Sequence, residues 1–356
     1  MEIAMEGTRA AVRGRGRVSL GRYGVAVASL LSVTLIGVMV GKAALDPGTV
    51  FAILLSKLPF VDVTPWWPAS HEAILLEIRL PRVAMAALVG AGLSVAGATY
   101  QGLFRNPLAE PYLIGVAGGA GLGAALAMAL SLPSIFYLYG GVQLAAFASA
   151  MLTVGLVYAL ARVGHSTPVT TLLLAGVAMG SLANAATAFV MYSMGDKIVV
   201  IYAWMLGGFN IASWQQVAVA APSVLFSIFL LTLLGRVANV MQLDDDQVRS
   251  LGINLELAKL LLVVGATLAT AAAVSASGLI GFVGLVVPHV VRMLWGPDHR
   301  SLIPLCALLG GTFLIATDAA ARMLPGPQEI PVGVVTAFAG VPFFLYLLRQ
   351  QKRSVF

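Results

Sequence analysis

Apolar residues in this chain fall in long runs, and each run is closed by a short polar break. A membrane-spanning helix needs about 20 mainly apolar residues, and the chain offers about ten such runs. The pattern predicts an all-α, polytopic membrane protein of about ten transmembrane helices. Spans are expected at 25–44, from just after 79–82 to 103, from 113 onward, and at 139–161, 168–192 and 214–234. Four more follow at 257–276, around 281–292, at 302–324 and at 334–348. Residues 1–24 then form a basic tail, 25–349 a single transmembrane domain, and 350–356 a second tail.

The breaks carry their own signals. Asp46-Pro47-Gly48 reads as a turn, and Trp66 and Trp67 suit a membrane interface. Gly115, Gly119 and Gly123 recur every four residues, a spacing that lets helix backbones approach closely. Residues 195–213 read as a helix-turn outside the membrane rather than a span. Three glycines and Pro288 predict that the span around 281–292 is short or broken. Asp318 and Arg322 stand four apart on one helical face, so the carboxylate has a partner at hand.

The most charged mid-chain break is 243–254, LDDDQVRSLGIN, with Glu256 just beyond. An Asp here can cap a short helix, Val248 and Leu251 would share one face, and Gly252 is placed to end it. The spacing fits a surface knob with a small apolar face, and it fits a solvated loop equally well.

Composition agrees with the run pattern. Hydrophobic residues make up 59% of the 356 positions and charged ones 10%, against roughly 45–50% and 25% in soluble domains. One membrane domain uses nearly the whole chain and leaves no room for a nucleotide-binding or catalytic domain. The net charge of +6 is distributed as membrane anchoring rather than as a nucleic-acid surface. Arg9, Arg13, Arg15, Arg17 and Arg22 precede the first span, and Arg349, Lys352 and Arg353 follow the last. This bias predicts that both termini are cytoplasmic. Alternation from there places Arg105, Arg162, Arg236, Arg249, Lys259, Arg292 and Arg300 inside, and Lys42, Lys57, Arg79, Arg82, Lys197 and Arg322 outside. Cys306 is the single cysteine, so no internal disulfide forms. His165 reads as a solvated loop residue. His289 has no second His or carboxylate at ligand spacing, so neither a metal site nor a cofactor is expected.

Eight motifs in order carry a resemblance. They are RLPR at 79–82, GAGLSVAGATYQGLFRNPLAEPYLIG at 90–115, LLLAG at 172–176 and WMLGGF at 204–209. LDDDQVRSLGI, GFVGLVVPHVVR at 281–292, GPDHR at 296–300 and EIPVGVVTAFAGVPFFLYLL at 329–348 complete the set. Across about 75–350 the chain resembles the FecCD-type permeases of iron-chelate and cobalamin ABC importers. The resemblance implies the type II ABC importer permease fold in the cytoplasmic (inner) membrane. It also implies a second permease copy, two cytoplasmic ATPase subunits and a periplasmic or lipid-anchored binding protein. Carried over by motif, Asp244, Asp245, Asp246, Val248, Arg249, Leu251 and Gly252 would couple to the ATPase, within a segment spanning 236–256. Arg79, Arg82 and Arg322 would meet the binding protein. Thr167, Thr170 and Thr171 would sit at the inner gate, where N-capping by Ser166 or Thr167 is the competing account. Hydrolysis would belong to the ATPase, so the chain itself is not expected to be an enzyme.

A ferric siderophore is the favoured cargo on family breadth, with haem and cobalamin as alternatives. Two other classes stay open from the residues alone. A proton- or sodium-coupled secondary transporter would use His289 and Asp318 as coupling residues, and an intramembrane enzyme would need the same two.

Overall fold

The computed structural model describes residues 20–43, 45–59, 61–130, 140–195, 198–324 and 329–353. Most of the basic tail, the start of the run expected at 139, Lys197 and part of the turn before Glu329 lie outside them. Among the described residues every named element is helical, and one isolated bridge joins Val163 to Ser166.

The chain opens with α1 (Leu20–Met39) and α2 (Pro47–Ser56). Next, α3 (Ala69–Ala73) runs through a π-helical stretch (Ile74–Arg79) into α4 (Leu80–Leu103). A single-turn 3-10 helix (Pro111–Ile114) leads to α5 (Val116–Ala129), α6 (Gly141–Ala161) and α7 (Val169–Ser193). Then come α8 (Ile198–Met205), α9 (Trp214–Leu233), and the short α10 (Gly235–Val240) and α11 (Asp245–Ser250). The last four are α12 (Leu255–Ser277), α13 (Val283–Trp295), α14 (His299–Met323) and α15 (Val332–Arg353). Seven helical segments of the described residues are long and apolar enough to cross a membrane. With α5, α13 and α15 as shorter apolar helices, the elements follow the order of the expected runs.

Three differences have physical causes. Asp46-Pro47-Gly48 is not a free turn. The Asp46 carboxylate accepts from the Thr49 N–H at 3.2 Å and starts α2, with Pro47 in its first turn, where a missing N–H costs nothing. The second span begins at Ala69 rather than after Arg82. Its π-helical turn, with Leu80 N–H on Leu75 O, loosens the backbone just before Pro81 and lets the helix carry on. The eighth span is short, as expected, yet α13 is unbroken through Pro288. Its irregular part is 278–282, whose polar backbone is satisfied by side chains: Glu110 accepts from Phe282 N–H at 2.7 Å, and Tyr112 donates to Ile280 O at 2.8 Å.

The buried post of the bundle is α4, packed against α14, α12, α9 and α13. Small residues permit the approach. A methyl group on Gly90 would run into the carbonyl of Gly310, and one on Gly97 into the carbonyl of Gly284. The glycine repeat of α5 does the same against α6, where Gly119 faces Thr153 and Gly123 faces Ala145.

Candidate functional site

Helix α11 projects from one end of the bundle. Asp244 caps it in extended geometry, the Gln247 side-chain oxygen accepts from the Asp244 N–H at 3.4 Å, and Gly252 ends it at φ +74°. A helical knob, not a loop, therefore occupies 244–252. Its apolar face is divided, however. Val248 is fully buried and anchors the helix, whereas Leu251 is 59% exposed on the free surface with Asp246 and Arg249.

Three neighbouring turns grip this knob and α10 before it. From the α4–α5 turn, Arg105 donates to Asp245 Oδ1 at 2.8 Å and to Met241 O at 3.2 Å, and lies 3.7 Å from Asp244. Arg105 is held at φ +51°, a left-handed conformation that usually selects glycine after a helix. From the α13–α14 turn, Asp298 accepts from Asn239 Nδ2 at 2.7 Å, and the His299 N–H donates to Asn239 Oδ1 at 2.8 Å. Buried His299 also lies within 3.3 Å of Ala98 O through Nε2 and 3.1 Å of Gln242 through Nδ1. With the proton on Nε2, that nitrogen donates to Ala98 O and Nδ1 accepts from Gln242, while the Asn239 oxygen 3.1 Å from Nδ1 takes the His299 backbone N–H instead.

The third grip passes through Lys259 in the first turns of α12. Its Nζ lies 3.4 Å from Asp245 Oδ2, 3.3 Å from Glu256 Oε1 and 3.3 Å from the carbonyl of Thr167 in the α6–α7 turn. Burial would raise the Asp245 carboxyl, but the hydrogen bond from Arg105 and the charge of Lys259 outweigh it and hold the group below its ordinary value of 3.8. Arg105, Asn239, Lys259 and His299 were not singled out as site residues in the sequence. The first and third had only their side of the membrane as a signal, and the partners that join separate turns lie far away in the chain, Asp245 140 residues from Arg105 and Thr167 92 from Lys259.

The three threonines separate at the α6–α7 turn. Thr167 is buried, Thr171 half-buried and Thr170 exposed. Neither Ser166 nor Thr167 caps α7, because Pro168 occupies that position without a side-chain bond. The turn itself is tight: Val163 and Ser166 exchange backbone bonds at 2.8 and 3.1 Å.

At the opposite end, Arg79, Arg82 and Arg322 are only 4, 7 and 6% exposed. They do not form an open patch. Arg82 reaches both oxygens of Asp318 at 2.9 to 3.2 Å and Glu329 at 2.7 Å, while Arg322 Nε lies 3.1 Å from Asp318 Oδ2. Arg79 donates to the carbonyls of Val38 and Met39 at 2.9 and 2.8 Å and to that of Ala43. Arg322 donates to Gly37 O at 2.8 Å and to Val40 O. The carbonyls of Gly37, Val38 and Met39 end α1, those of Val40 and Ala43 follow it, and a cation suits the negative end of the helix dipole. Asp318 is therefore an ion-paired anchor, and His289 packs edge-on against Phe343 at 5.8 Å. No group of three potential metal ligands occurs among the described residues.

Comparison with known proteins agrees with this architecture. The chain is 44% identical over 285 residues to the cobalamin import system permease protein BtuC of Halobacterium salinarum, covering 80% of this chain and 76% of that protein. It is 40% identical over 297 residues to the hemin transport system permease protein HmuU of Yersinia pestis, covering 82% and 88%. An inward-facing structure of a metal-chelate type ABC transporter superposes with a TM-score of 0.74 at 30% identity, covering 90% of this chain and 98% of that one. The profile of the FecCD transport family matches residues 29–350, and the chain belongs to that family.

Proposed function

We propose that this chain is the membrane-spanning permease subunit of an ATP-driven ABC importer for a metal chelate in the cytoplasmic (inner) membrane, with both termini cytoplasmic. The observation that carries the reading is the free surface of α11. A capped, charged helix held by three turns is built to receive force and pass it on, and the described residues form membrane-type helices with no nucleotide-binding domain among them to supply that force. One ATPase subunit docks there, with Asp246, Arg249 and Leu251 as the exposed contacts, and a second docks on the same helix of a second permease copy. Asp244, Asp245, Val248 and Gly252 set the position of the helix. Thr167, Thr170 and Thr171 lie where the inner gate is proposed.

A second copy of the chain completes the pathway. The outward side of α7 supports this, since Leu174, Phe189 and Tyr192 are 66, 73 and 88% exposed, a face suited to lipid or to a partner helix. The role of Arg79, Arg82 and Arg322 toward a binding protein is proposed in indirect form. They fix the ends of α1, α4 and α14 that such a protein would meet, and their field steers an acidic partner.

The cobalamin and hemin relatives set both cargoes beside a ferric siderophore. The test is uptake into vesicles holding the permease, its ATPase and its binding protein, with each of the three chelates offered. ATP-dependent uptake of one is expected. Uptake driven by a proton gradient with the permease alone would overturn the reading in favour of a secondary transporter.

A further inference from the structure

Resting on the permease reading, we propose that Lys259 is the positioning residue that ties the ATPase-facing helix α11 to the α6–α7 turn, so that displacement of one moves the other. An ammonium has three N–H donors and no acceptor. The three acceptors around Lys259 Nζ, at 3.3 to 3.4 Å, belong to α11, to its own helix and to the turn before α7. Its side chain is 7% exposed. A buried ammonium that gives up one of these acceptors leaves an N–H donor without a partner, so the three acceptors are constrained to move together.

Each end of the tie is rigid. Asp245 is shared: Oδ1 takes Arg105 and Oδ2 takes Lys259, which leaves the carboxylate little freedom to rotate away. At the other end the acceptor is a main-chain carbonyl, not a side chain that could swing. Thr167 precedes Pro168, whose ring restricts it to extended backbone, and α7 begins at the next residue. The paired backbone bonds of Val163 and Ser166 stiffen the turn behind it. A pull on the Thr167 carbonyl is therefore delivered to the first turn of α7. Among the described residues, Lys259 is the one whose side-chain bonds reach both α11 and this turn.

The tie is tested in proteoliposomes holding the full-length permease, its ATPase and its binding protein, by measuring chelate taken up per ATP hydrolysed. Lys259→Met keeps the length and apolar stem but removes the charge. The ratio is expected to fall by about tenfold, and Lys259→Arg is expected to recover it to within about twofold. Asp245→Asn, at a half-exposed position, cuts the tie from the other end and should lower the ratio similarly. Combining it with Lys259→Met should add little. An unchanged ratio in Lys259→Met overturns the tie while ATP-driven uptake by the natural chain leaves the importer reading standing. A lower thermal midpoint with an unchanged ratio makes Lys259 merely structural and also overturns it. Loss of ATPase from the purified Lys259→Met complex makes it a docking residue, again against the tie. If Lys259→Met does not fold, the Asp245→Asn ratio decides alone. Absence of ATP-dependent uptake by the natural chain overturns the importer reading itself.

Discussion

Asp318 shows most plainly how single residues divide structure from function in this chain. A fully buried carboxylate between two guanidinia is costly to desolvate but far more costly to break, since removing one partner of a buried pair leaves a charge with no counterion. Asp318→Asn should destabilise the subunit by about 3–5 kcal/mol, read as a lower unfolding midpoint in detergent. It should give no shift in any pH dependence of uptake, which a proton-coupling carboxylate would. Arg105 makes a complementary case. Its left-handed backbone suits glycine better, so Arg105→Gly should leave the unfolding midpoint unchanged or slightly higher. If the side chain positions α11, the same variant should still retain less ATPase on purification. Equal retention would reduce Arg105 to an unfavourable helix cap. Asp245 gives a pH expectation. Because its folded value is depressed, its contribution is complete above the ordinary carboxylate range and is lost only as pH falls through the lower folded value. Uptake per ATP should therefore show no titration from Asp245 between about pH 5 and 8.

Helices of this protein are set by two kinds of contact that differ in how far they can be read from sequence. Apolar run length locates the spans because lipid forces every backbone group to pair within its own helix. The Asp cap and the stop at Gly252 are equally local: the spacing allowed any of the three Asp residues to cap, and the structure uses Asp244, with Gly252 ending the helix. Side-chain ties across the bundle are not local. Arg79 bonds carbonyls 36 to 41 residues upstream, and Lys259 bonds a carbonyl 92 residues away. From sequence, Arg79 and Arg82 read as free charges on the outer side, and Arg322 as an outer charge paired with Asp318 on its own helix. Their burial depends on the end of α1 arriving beside them. The helix α2 was legible in principle, since Asp followed by Pro is a start signal as well as a turn signal. Close helix approach gives a prediction at this scale. Gly97→Val should prevent folding, because its Cβ would overlap the Gly284 carbonyl and force α4 from α13. Gly121→Ala, with no atom within 4 Å of the added carbon, should be neutral or slightly stabilising, since alanine is the better helix former. Similar yields of folded protein from both variants would refute the packing account.

As a whole, the molecule is a bundle pinned at both ends and, on the proposed reading, loaded at one. At one end, buried arginines lock α1 to α4 and α14. At the other, turns from across the bundle converge on α10 and α11, so that motion of a small charged helix reaches several spans at once. A cleft that grips α11 must meet its free side, where Arg249 and Leu251 are exposed and Arg249 has no side-chain hydrogen bond or ion pair to the described residues. The most direct measurement is therefore co-purification of the ATPase with the full-length natural subunit and with an Arg249→Glu, Leu251→Asp double variant. The double variant should fold with an unchanged unfolding midpoint yet lose at least about 90% of the bound ATPase, a weakening of at least about tenfold or about 1.4 kcal/mol. Retention of ATPase equal to that of the natural subunit would contradict the claim that this chain is driven through α11.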